Sequence, residues 1–223
     1  MNDIPPVLDL ASRLLAGLRP DPLLTVSEWA DKYRMLPSEG ASEHGQWHTS
    51  RTPYLKEILD HLTITDPCSR VVFWAASQVG KTEVGLNWVG YIVTQAPGPM
   101  LILLPTVETC EDVSKQRLRP LLTSDALRGY VPAARSRDSS VTLLSTQFPG
   151  GFLYLAGANA PSRLASRPVR YLWIDERNRI ASSAGSEGSP DGLARQRLST
   201  FGNRAKELIT SSPTDGYGIE TDY

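Results

Sequence analysis

The sequence is poor in cysteine, has almost no net charge and lacks an uninterrupted apolar segment of membrane-spanning length. Its two cysteines, Cys68 and Cys110, stand far apart among 223 residues, so neither a zinc knuckle nor a redox pair is predicted and a reducing compartment is the default. With 23 basic and 24 acidic side chains the net charge is −1, which gives the whole chain no attraction to nucleic acid or anionic lipid. Binding of either kind must therefore come from a local patch.

The longest stretch without a charged side chain covers 24 residues, 84–107, which is long enough to cross a bilayer. It is interrupted by Pro97, Gly98 and Pro99. This breaker predicts a helix before it and a strand after it, and not a membrane helix. The amino-terminal residues carry acids and no basic region, which argues against a secretory signal.

Length and apolar content suit a folded domain. Hydrophobic side chains make up 40% of the chain, which together with glycine is close to the globular norm and excludes disorder over the whole length. Charge is unevenly distributed, since residues 111–181 carry 11 basic and 6 acidic side chains whereas residues 1–69 carry 6 and 10. The basic surplus is a candidate for contact with DNA phosphates, although solvated helix faces have the same composition.

The apolar periodicity changes near residue 70. Before it, apolar spacing predicts a helix over residues 6–18, and the capping-box spacing of Thr25 and Glu28 predicts another over 27–34. We therefore expect residues 1–69 to form a helical segment and residues 70–223 to form a core. Short runs rich in β-branched and aromatic residues then predict six strands, at 70–77, 99–105, 141–145, 151–158, 169–176 and 206–213.

Two segments of helical length and spacing, residues 83–95 and 107–122, separate the first three predicted strands. This alternation predicts an α/β fold with a mostly parallel sheet flanked by helices. The Ser/Gly-rich segment 181–191 predicts a mobile loop.

The strongest chemical signal is AASQVGKT, residues 75–82, which follows the first predicted strand of the core and precedes a helix. This is the setting of a phosphate loop, with Ala75 where the pattern has glycine. A tight turn there directs backbone N–H groups at a phosphate, and the helix adds its dipole. The positive charge of Lys81 and the hydroxyl of Thr82, a possible Mg²⁺ ligand, complete the predicted site. The predicted phosphate-binding residues are Ser77, Gln78, Val79, Gly80, Lys81 and Thr82.

The second signal is YLWIDE, residues 171–176, an apolar strand that ends in two carboxylates. In a phosphate-loop enzyme such a strand brings the first acid, Asp175, near the magnesium and lets the second, Glu176, orient and deprotonate an attacking water. Two acids that merely begin a surface loop are the alternative for this motif on its own. The two motifs together predict nucleotide hydrolysis.

A third element is ITSSPT, residues 209–214, at the end of the last predicted strand. The hydroxyls of Thr210, Ser211 and Ser212 can bond a γ-phosphate or its water and change partners when the phosphate leaves. Clusters of Ser, Thr and Pro are also ordinary turn formers, so this interpretation has an equal alternative.

These motifs, in this order and preceded by TVSEWADKYRMLP and GQWHTSRTPYLKEIL, resemble the ATPase region of lambda-type phage terminase large subunits, the motors that package viral DNA. The resemblance covers roughly residues 24–215. It implies a phosphate-loop NTPase fold of the ASCE class, ATP with Mg²⁺, and double-stranded DNA as the moved substrate. It also implies a terminase small subunit and a portal protein as partners, a homo-oligomeric ring, the bacterial host cytoplasm as location and no membrane association.

The resemblance also assigns roles to single residues. Lys81 and Thr82 take the Walker A roles, Asp175 binds the metal and Glu176 activates water. The hydroxyl segment, Thr210, Ser211 and Ser212, couples hydrolysis to movement.

Two aromatic and two basic residues are further candidates. Trp47 and Tyr54 fall where such motors hold the adenine, and an aromatic ring can stack on a base; the alternative is that both are core anchors. Arg163 and Arg167 are candidates to neutralise charge at the transferred phosphate, in cis or across a ring interface.

The sequence also departs from the family pattern. Ser77 stands where many terminases have an arginine, and Asn178 stands where the family tends to have another acid. The chain stops at Tyr223, so a nuclease domain and DNA cleavage are not expected, and the resemblance allows for an ATPase core truncated at its carboxyl end. Two alternatives stay open: a non-catalytic terminase fragment, and a helicase-like ATPase that acts on nucleic acid.

Overall fold

The fold is built on a central sheet, seen in a computed structural model that describes residues 23–38, 44–132, 142–160, 164, 167–183 and 188–214. The strands are β1 (Met35–Leu36), β2 (Gly45–Gln46), β3 (Arg70–Trp74), β4 (Met100–Leu104), β5 (Ser145–Phe148), β6 (Gly151–Gly157), β7 (Tyr171–Ile174) and β8 (Lys206–Ser211). The α-helices are α1 (Val26–Tyr33), α2 (Leu55–His61), α3 (Lys81–Thr94), α4 (Val107–Val113), α5 (Arg119–Leu122) and α6 (Pro190–Gln196). A π-helical turn joins α4 to α5, and short 3₁₀ turns occupy Thr49–Arg51, Arg177–Arg179 and Ser199–Arg204.

The sheet has the strand order β3-β8-β7-β4-β6-β5. All neighbours pair in parallel except β5, which runs antiparallel to β6 at the edge. Strand β8, the last of the described strands, therefore lies between β3 and β7. Because parallel strands end at the same edge of a sheet, the residues that follow β3, β8 and β7 are brought together there. The predicted α/β class with a mostly parallel sheet is confirmed.

The position of the central strand β4 explains why its sequence is continuously apolar. Its five residues are all buried, and they alternate between two hydrophobic clusters. Met100 and Ile102 join the cluster formed with α1, α2 and α3, whereas Leu101 and Leu103 join the cluster on the opposite face. A strand covered on both faces needs apolar side chains at every position, as is usual in parallel sheets.

Strand β8 buries charged side chains at its amino end, and each of them has partners. Lys206 Nζ donates at 2.5–2.9 Å to three main-chain carbonyls, that of the last residue of α2 and two of the segment that joins α2 to β3. The Glu207 carboxylate accepts from Arg70 Nε and Arg195 Nε, both at 2.7 Å. Buried charges are tolerated when they are paired and hydrogen-bonded, so these contacts allow a polar strand to lie in the middle of the sheet.

Helix α1 spans Val26–Tyr33, one residue earlier at each end than the prediction over 27–34. Thr25 is the N-cap, its side chain accepts from the Glu28 N–H, and the Glu28 carboxylate accepts from the Thr25 N–H at 2.8 Å. Both contacts of the capping box are present. The helix predicted over residues 6–18 lies outside the described residues. The boundary predicted at residues 69 and 70 stays a prediction.

The breaker at residues 97–99 acts as predicted. Helix α3 ends at Thr94 and strand β4 starts at Met100, so the longest uncharged stretch of the sequence is a helix followed by a strand. Within the described ranges, no helix has the length and apolarity that crossing a membrane requires.

The strand predicted over residues 141–145 is misplaced. Strand β5 begins at Ser145, where the prediction ends, and its last residue Phe148 pairs with Gly151. The cause is a tight turn at Pro149 and Gly150, in which Gly150 has a φ of 82°. This turn fixes the register of the hairpin from its closed end, and it outweighs the apolar run that suggested the earlier position.

The loop predicted over residues 181–191 is also too long at its carboxyl end. Helix α6 begins at Pro190, with Ser189 as an N-cap whose side chain accepts from the Gly192 N–H. Serine followed by proline is itself a helix-start signal. Residues 184–187 of the predicted loop lie outside the described residues.

Substituting Gly90 in α3 should test how tightly α1 packs on this helix. A Cβ atom at Gly90 would lie 1.9 Å from Cη2 of Trp29, a buried side chain of α1. Alanine has a higher helix propensity than glycine, which favours the substitution by roughly 1 kcal/mol. Overpacking against the fixed indole ring costs about 1–3 kcal/mol and is the larger effect. We expect Gly90→Ala to lower the free energy of unfolding measured in urea.

The matched control is Gly129→Ala, because a Cβ there meets no atom within 4 Å. An unfolding free energy that stays unchanged in Gly90→Ala would mean that Trp29 moves without cost.

Candidate active site

The segment that joins β3 to α3 forms a tight turn with two residues in the left-handed region. Gln78 has a φ of 62° and Gly80 a φ of 88°. A positive φ is uncommon for a residue other than glycine and is found mostly where surrounding contacts impose it. Gly80 is the N-cap of the 14-residue helix α3. The N–H groups of the first helical turn and the positive end of the helix dipole therefore face this loop.

Lys81, the first residue of α3, is buried and folds back over the loop. Its Nζ atom donates to the carbonyl oxygens of Ala75 at 2.9 Å and Ala76 at 2.5 Å. Because an ammonium group has three N–H donors, one donor remains beyond these two contacts. The Lys81 charge is also close enough to Asp175 to lower the pKa of that carboxyl.

Two contacts tie the loop to neighbouring elements. The Ala75 N–H donates to the carbonyl oxygen of Ser211 at 3.3 Å, so the loop begins against the end of β8. The Tyr54 hydroxyl donates to the carbonyl oxygen of Val79 at 3.3 Å, so the segment before α2 closes on the other side.

Asp175 follows β7 and is almost completely buried, with 4% of its surface exposed. Its Oδ1 atom accepts from the Thr210 hydroxyl at 2.7 Å and from the Glu176 N–H at 3.0 Å. Burial raises the pKa of the Asp175 carboxyl above its usual range, and the Thr210 hydrogen bond offsets part of that increase. The negative charge of Glu176 raises the pKa further. A buried carboxylate in this position gains from a nearby cation.

Glu176 has a different environment from its neighbour. Its backbone lies in the left-handed region, with φ 53° and ψ 46°, and its side chain is 32% exposed. Its Oε2 atom lies 3.5 Å from Nε of Arg179. The two acids thus differ in solvent exposure: the Asp175 carboxylate is enclosed by the protein, whereas the Glu176 carboxylate reaches water.

The hydroxyl segment at the end of β8 lies against the acid pair. Thr210 and Ser211 are fully buried. The Thr210 hydroxyl accepts from Trp173 Nε1 at 3.1 Å and donates to Asp175, which gives a chain from indole to hydroxyl to carboxylate. Because β8 lies between β3 and β7, this segment contacts both the phosphate loop and the acids.

The structure places the two predicted aromatic residues differently. Trp47 is 7% exposed, packs in the hydrophobic core and donates from Nε1 to Thr49 Oγ1 at 3.0 Å. This burial favours the interpretation of Trp47 as a core anchor. Tyr54 is 54% exposed and lies beside the phosphate loop, so its ring is the one available for stacking.

Arg167 does not join the site within this chain. Its guanidinium lies over the Phe152 ring, 5.6 Å from the ring centre. Phe152 is at the amino end of β6, whereas Asp175 follows the carboxyl end of β7, and parallel strands place these ends at opposite edges of the sheet. Arg163 lies outside the described residues.

Sequence reasoning missed a buried ion pair that holds the phosphate-loop helix. Arg34, 2% exposed, donates from Nη2 to Oε2 of Glu83 at 2.8 Å, and Glu83 lies in the first turn of α3. The two residues are 49 positions apart, and neither is marked by the motifs as the partner of the other. No local pattern in the sequence could have predicted the pair.

Sequence reasoning also noted Asn178 only as a departure from the family pattern. The structure places its side chain against the hydroxyl segment, where its Nδ2 atom donates to the carbonyl oxygen of Ser212 at 3.2 Å and to Thr214 Oγ1 at 3.0 Å. The sequence signal for these contacts was the amide side chain itself, which can donate two hydrogen bonds.

The site combines a turn at a helix start, which encloses a lysine, with a strand that ends in a buried and a partly exposed carboxylate. This combination defines a phosphate-loop nucleoside triphosphatase. Comparison with known proteins narrows this class. The family model for the phage terminase large subunit gpA, ATPase domain, matches residues 41–219. The match covers more than half of the chain, so the chain belongs to this family. The predicted resemblance and the predicted class of enzyme, an ATPase, are confirmed.

Individual proteins are similar to this chain in sequence or in structure. The terminase large subunit of Enterobacteria phage P21 is 28% identical over 192 residues, which is 85% of this chain and 29% of that protein. The crystal structure of the HK97 bacteriophage large terminase superposes with a TM-score of 0.63 at 10% identity and covers 84% of this chain and 38% of that one. The Thermus phage P74-26 large terminase ATPase domain gives a TM-score of 0.48 at 19% identity over 66% of this chain and 61% of that one.

These relatives set the scope of the comparison. The likeness to the HK97 structure confirms the fold. The chain spans less than a third of the length of the P21 protein.

The raised pKa of Asp175 predicts that its charge destabilises the folded chain. Because the folded-state pKa lies above the unfolded value of about 3.8, stability falls as pH rises through this interval and stays lower above it. Asp175→Asn keeps an acceptor for Thr210 and removes the charge. We expect it to melt higher at pH 7, with a gain of about 2–4 °C for each kcal/mol in a chain of this size. The gain should shrink as the pH is lowered toward 4.

Asp191→Asn is the control, because Asp191 is equally buried but forms ion pairs with Arg177 and Arg195. Removing its charge breaks the ion pairs of Asp191 with Arg177 and Arg195, although Arg195 keeps its pair with Glu207, and should lower the melting temperature. A lower melting temperature of Asp175→Asn at pH 7 would contradict the interpretation of Asp175.

Proposed function

We propose that this chain hydrolyses ATP with Mg²⁺ and that hydrolysis drives double-stranded DNA into a phage procapsid, as the motor region of a terminase large subunit. One observation carries the proposal. The insertion of β8 between β3 and β7 brings the phosphate loop, the hydroxyl segment and the acid pair to one edge of the sheet. Membership of the terminase ATPase family supports the same conclusion.

The side chains at this edge fit a magnesium nucleotide. Asp175 is a buried carboxylate whose pKa is raised by burial, so a divalent cation would supply the missing positive charge. Thr82, in the first turn of α3, provides a hydroxyl oxygen, and hard oxygen ligands suit Mg²⁺. We assign the metal to Thr82 and Asp175. Bound Mg²⁺ would neutralise charge on the β- and γ-phosphates.

The chain's own residues then divide the chemistry. The N–H groups of Ser77, Gln78, Val79 and Gly80 would bind phosphate oxygens, and Lys81 would exchange the carbonyls of the loop for the β- and γ-phosphates. Glu176, exposed to water, is placed to accept a proton from the attacking water. Ser211 and Ser212 would sense the departure of phosphate.

The roles of the two aromatic residues and of the two arginines are separate proposals. We assign adenine stacking to Tyr54, with Trp47 supporting the segment from the core. Because Arg167 lies toward the other edge of the sheet, we propose that it acts on a neighbouring subunit of a homo-oligomeric ring, and we keep Arg163 as the second candidate. An arginine supplied in trans is a known way to stabilise charge in phosphoryl transfer.

The basic surplus of residues 111–181 supports a DNA contact. Its described members include Lys115, Arg117 and Arg128, whose side chains are 40–71% exposed. They pair with acids nearby, and DNA phosphates can compete for such exposed pairs. We place the motor in the bacterial host cytoplasm, with a terminase small subunit and a portal protein as partners.

Two substitutions of the acid pair should separate the roles of Asp175 and Glu176. Glu176→Gln keeps the shape and the hydrogen bonding but removes the basicity, so ATP turnover should fall by roughly 10²–10⁴-fold with nucleotide affinity retained. Asp175→Asn should lower both turnover and Mg²⁺-dependent affinity, because it removes a metal ligand. Turnover is measured by phosphate release, and affinity by calorimetric titration with and without Mg²⁺.

Lys81→Ala is the reference for a dead site and should lose turnover without unfolding, since Lys81 is a charged side chain held by loop carbonyls and not an apolar core anchor. Wild-type turnover in Lys81→Ala would refute the phosphate-loop assignment. Absence of Mg²⁺-dependent nucleotide binding by the wild type would instead favour a non-catalytic fragment.

DNA binding should be weak, independent of sequence and strongly dependent on salt. Counterion release is the expected driving force, so the logarithm of the affinity should fall linearly with the logarithm of salt concentration. We expect Arg128→Ala to reduce the slope by about 1. Fluorescence anisotropy with two unrelated duplexes over a range of NaCl concentrations measures both quantities. Binding that ignores salt, or that selects one duplex, would contradict the proposal.

A further inference from the structure

Asn178 connects the turn after the acid pair to the hydroxyl segment. Its backbone N–H donates to Ser211 Oγ at 3.0 Å. Its side-chain Nδ2 donates to the Ser212 carbonyl at 3.2 Å and to Thr214 Oγ1 at 3.0 Å. Both protons of the amide are therefore used, and all three acceptors belong to the segment that follows or ends β8.

The turn that carries Glu176 needs such contacts. Glu176 has a left-handed backbone conformation, which costs about 1–3 kcal/mol for such a residue and persists only when the surroundings impose it. Arg177, the next residue, is 14% exposed and pairs with Asp191 of α6 at 3.1 Å. The turn is thus anchored to α6 on one side by Arg177 and to β8 on the other by Asn178.

The chemistry of the amide explains why this residue type suits the position. A carboxylate of the same shape would direct oxygen at the Ser212 carbonyl, and two acceptors facing each other repel. An amide donates to the carbonyl and the hydroxyl together.

We infer that Asn178 is the positioning residue that holds the Glu176 turn on the hydroxyl segment, so that this segment and the water-activating carboxylate move as one unit. The inference rests on the proposed ATPase function and deepens it. A shift of Ser211 or Ser212 when phosphate leaves is transmitted to the Glu176 backbone through the three Asn178 contacts.

The kinetic test uses Asn178→Ala and Asn178→Asp in the full chain. We expect kcat for ATP to fall by roughly 10–100-fold, since a misplaced catalytic group costs up to about 10²-fold, with KM and the affinity for a non-hydrolysable ATP analogue unchanged within twofold. Asn178→Asp should be at least as impaired as Asn178→Ala. The control is Asn159→Ala, which also removes an amide that contacts the backbone, at Val107 N, but beyond the end of β6. It should retain wild-type kcat.

A second readout does not depend on turnover. Thr214→Val removes one acceptor of the Asn178 amide, so its effect on the melting temperature should be smaller in the Asn178→Ala background than in the wild type. Additive shifts in melting temperature, or a kcat of Asn178→Ala equal to the wild type, would overturn the inference.

The outcomes separate this inference from the proposed function. If Lys81→Ala is inactive and Asn178→Ala is fully active, the ATPase assignment stands and the positioning role fails. If the wild type has no turnover, the ATPase assignment fails, and the melting-temperature cycle alone decides whether Asn178 holds the segment. A matched loss of kcat and analogue affinity would mean that Asn178 supports the fold of the whole site, which also overturns the inference.

Discussion

The hydrogen bond from the Thr210 hydroxyl to the buried Asp175 carboxylate is the contact on which the site depends. A carboxylate that is enclosed by protein loses its water, and it keeps its charge only with donors and cations close by. Thr210 can reach it because β8 lies directly beside β7, with Ile174 opposite Ile209 in register. The position of one strand thus influences the pKa of the acid at the end of another.

The same strand relates the remaining parts of the site. Ser211 accepts at its side chain from Asn178 and at its carbonyl from Ala75. It is therefore in contact with the turn of the acid pair and with the phosphate loop simultaneously. Since the packed interior resists gradual deformation, a change on one side of Ser211 displaces the other side.

Much of the fold was predictable, because its signals are local. The capping box of α1, the breaker before β4 and the phosphate-loop turn each lie within a few residues of sequence, and each has a direct physical reason. The errors have a reason of the same kind. The Pro149 and Gly150 turn fixes the position of β5, and Ser189 with Pro190 starts α6, so turn chemistry outweighed apolar content and loop-like composition in both places.

The site was predictable in its motifs but not in its contacts. Lys81, Asp175 and Glu176 are predicted from the phosphate-loop pattern and from an apolar strand that ends in two acids. The burial of Trp47, the pairing of Arg34 with Glu83 and the contacts of Asn178 depend on the way distant segments pack. Sequence spacing carries no information on such contacts unless an alignment of related sequences is added.

The ion pair between Arg34 and Glu83 has a consequence for motion. Arg34 follows α1, Glu83 lies in the first turn of the phosphate-loop helix, and the Arg34 guanidinium is buried. Separating such a pair leaves an uncompensated charge in the interior. Helix α1 is for this reason tied to the start of α3, so we expect a rotation of the phosphate loop and a displacement of α1 to accompany each other.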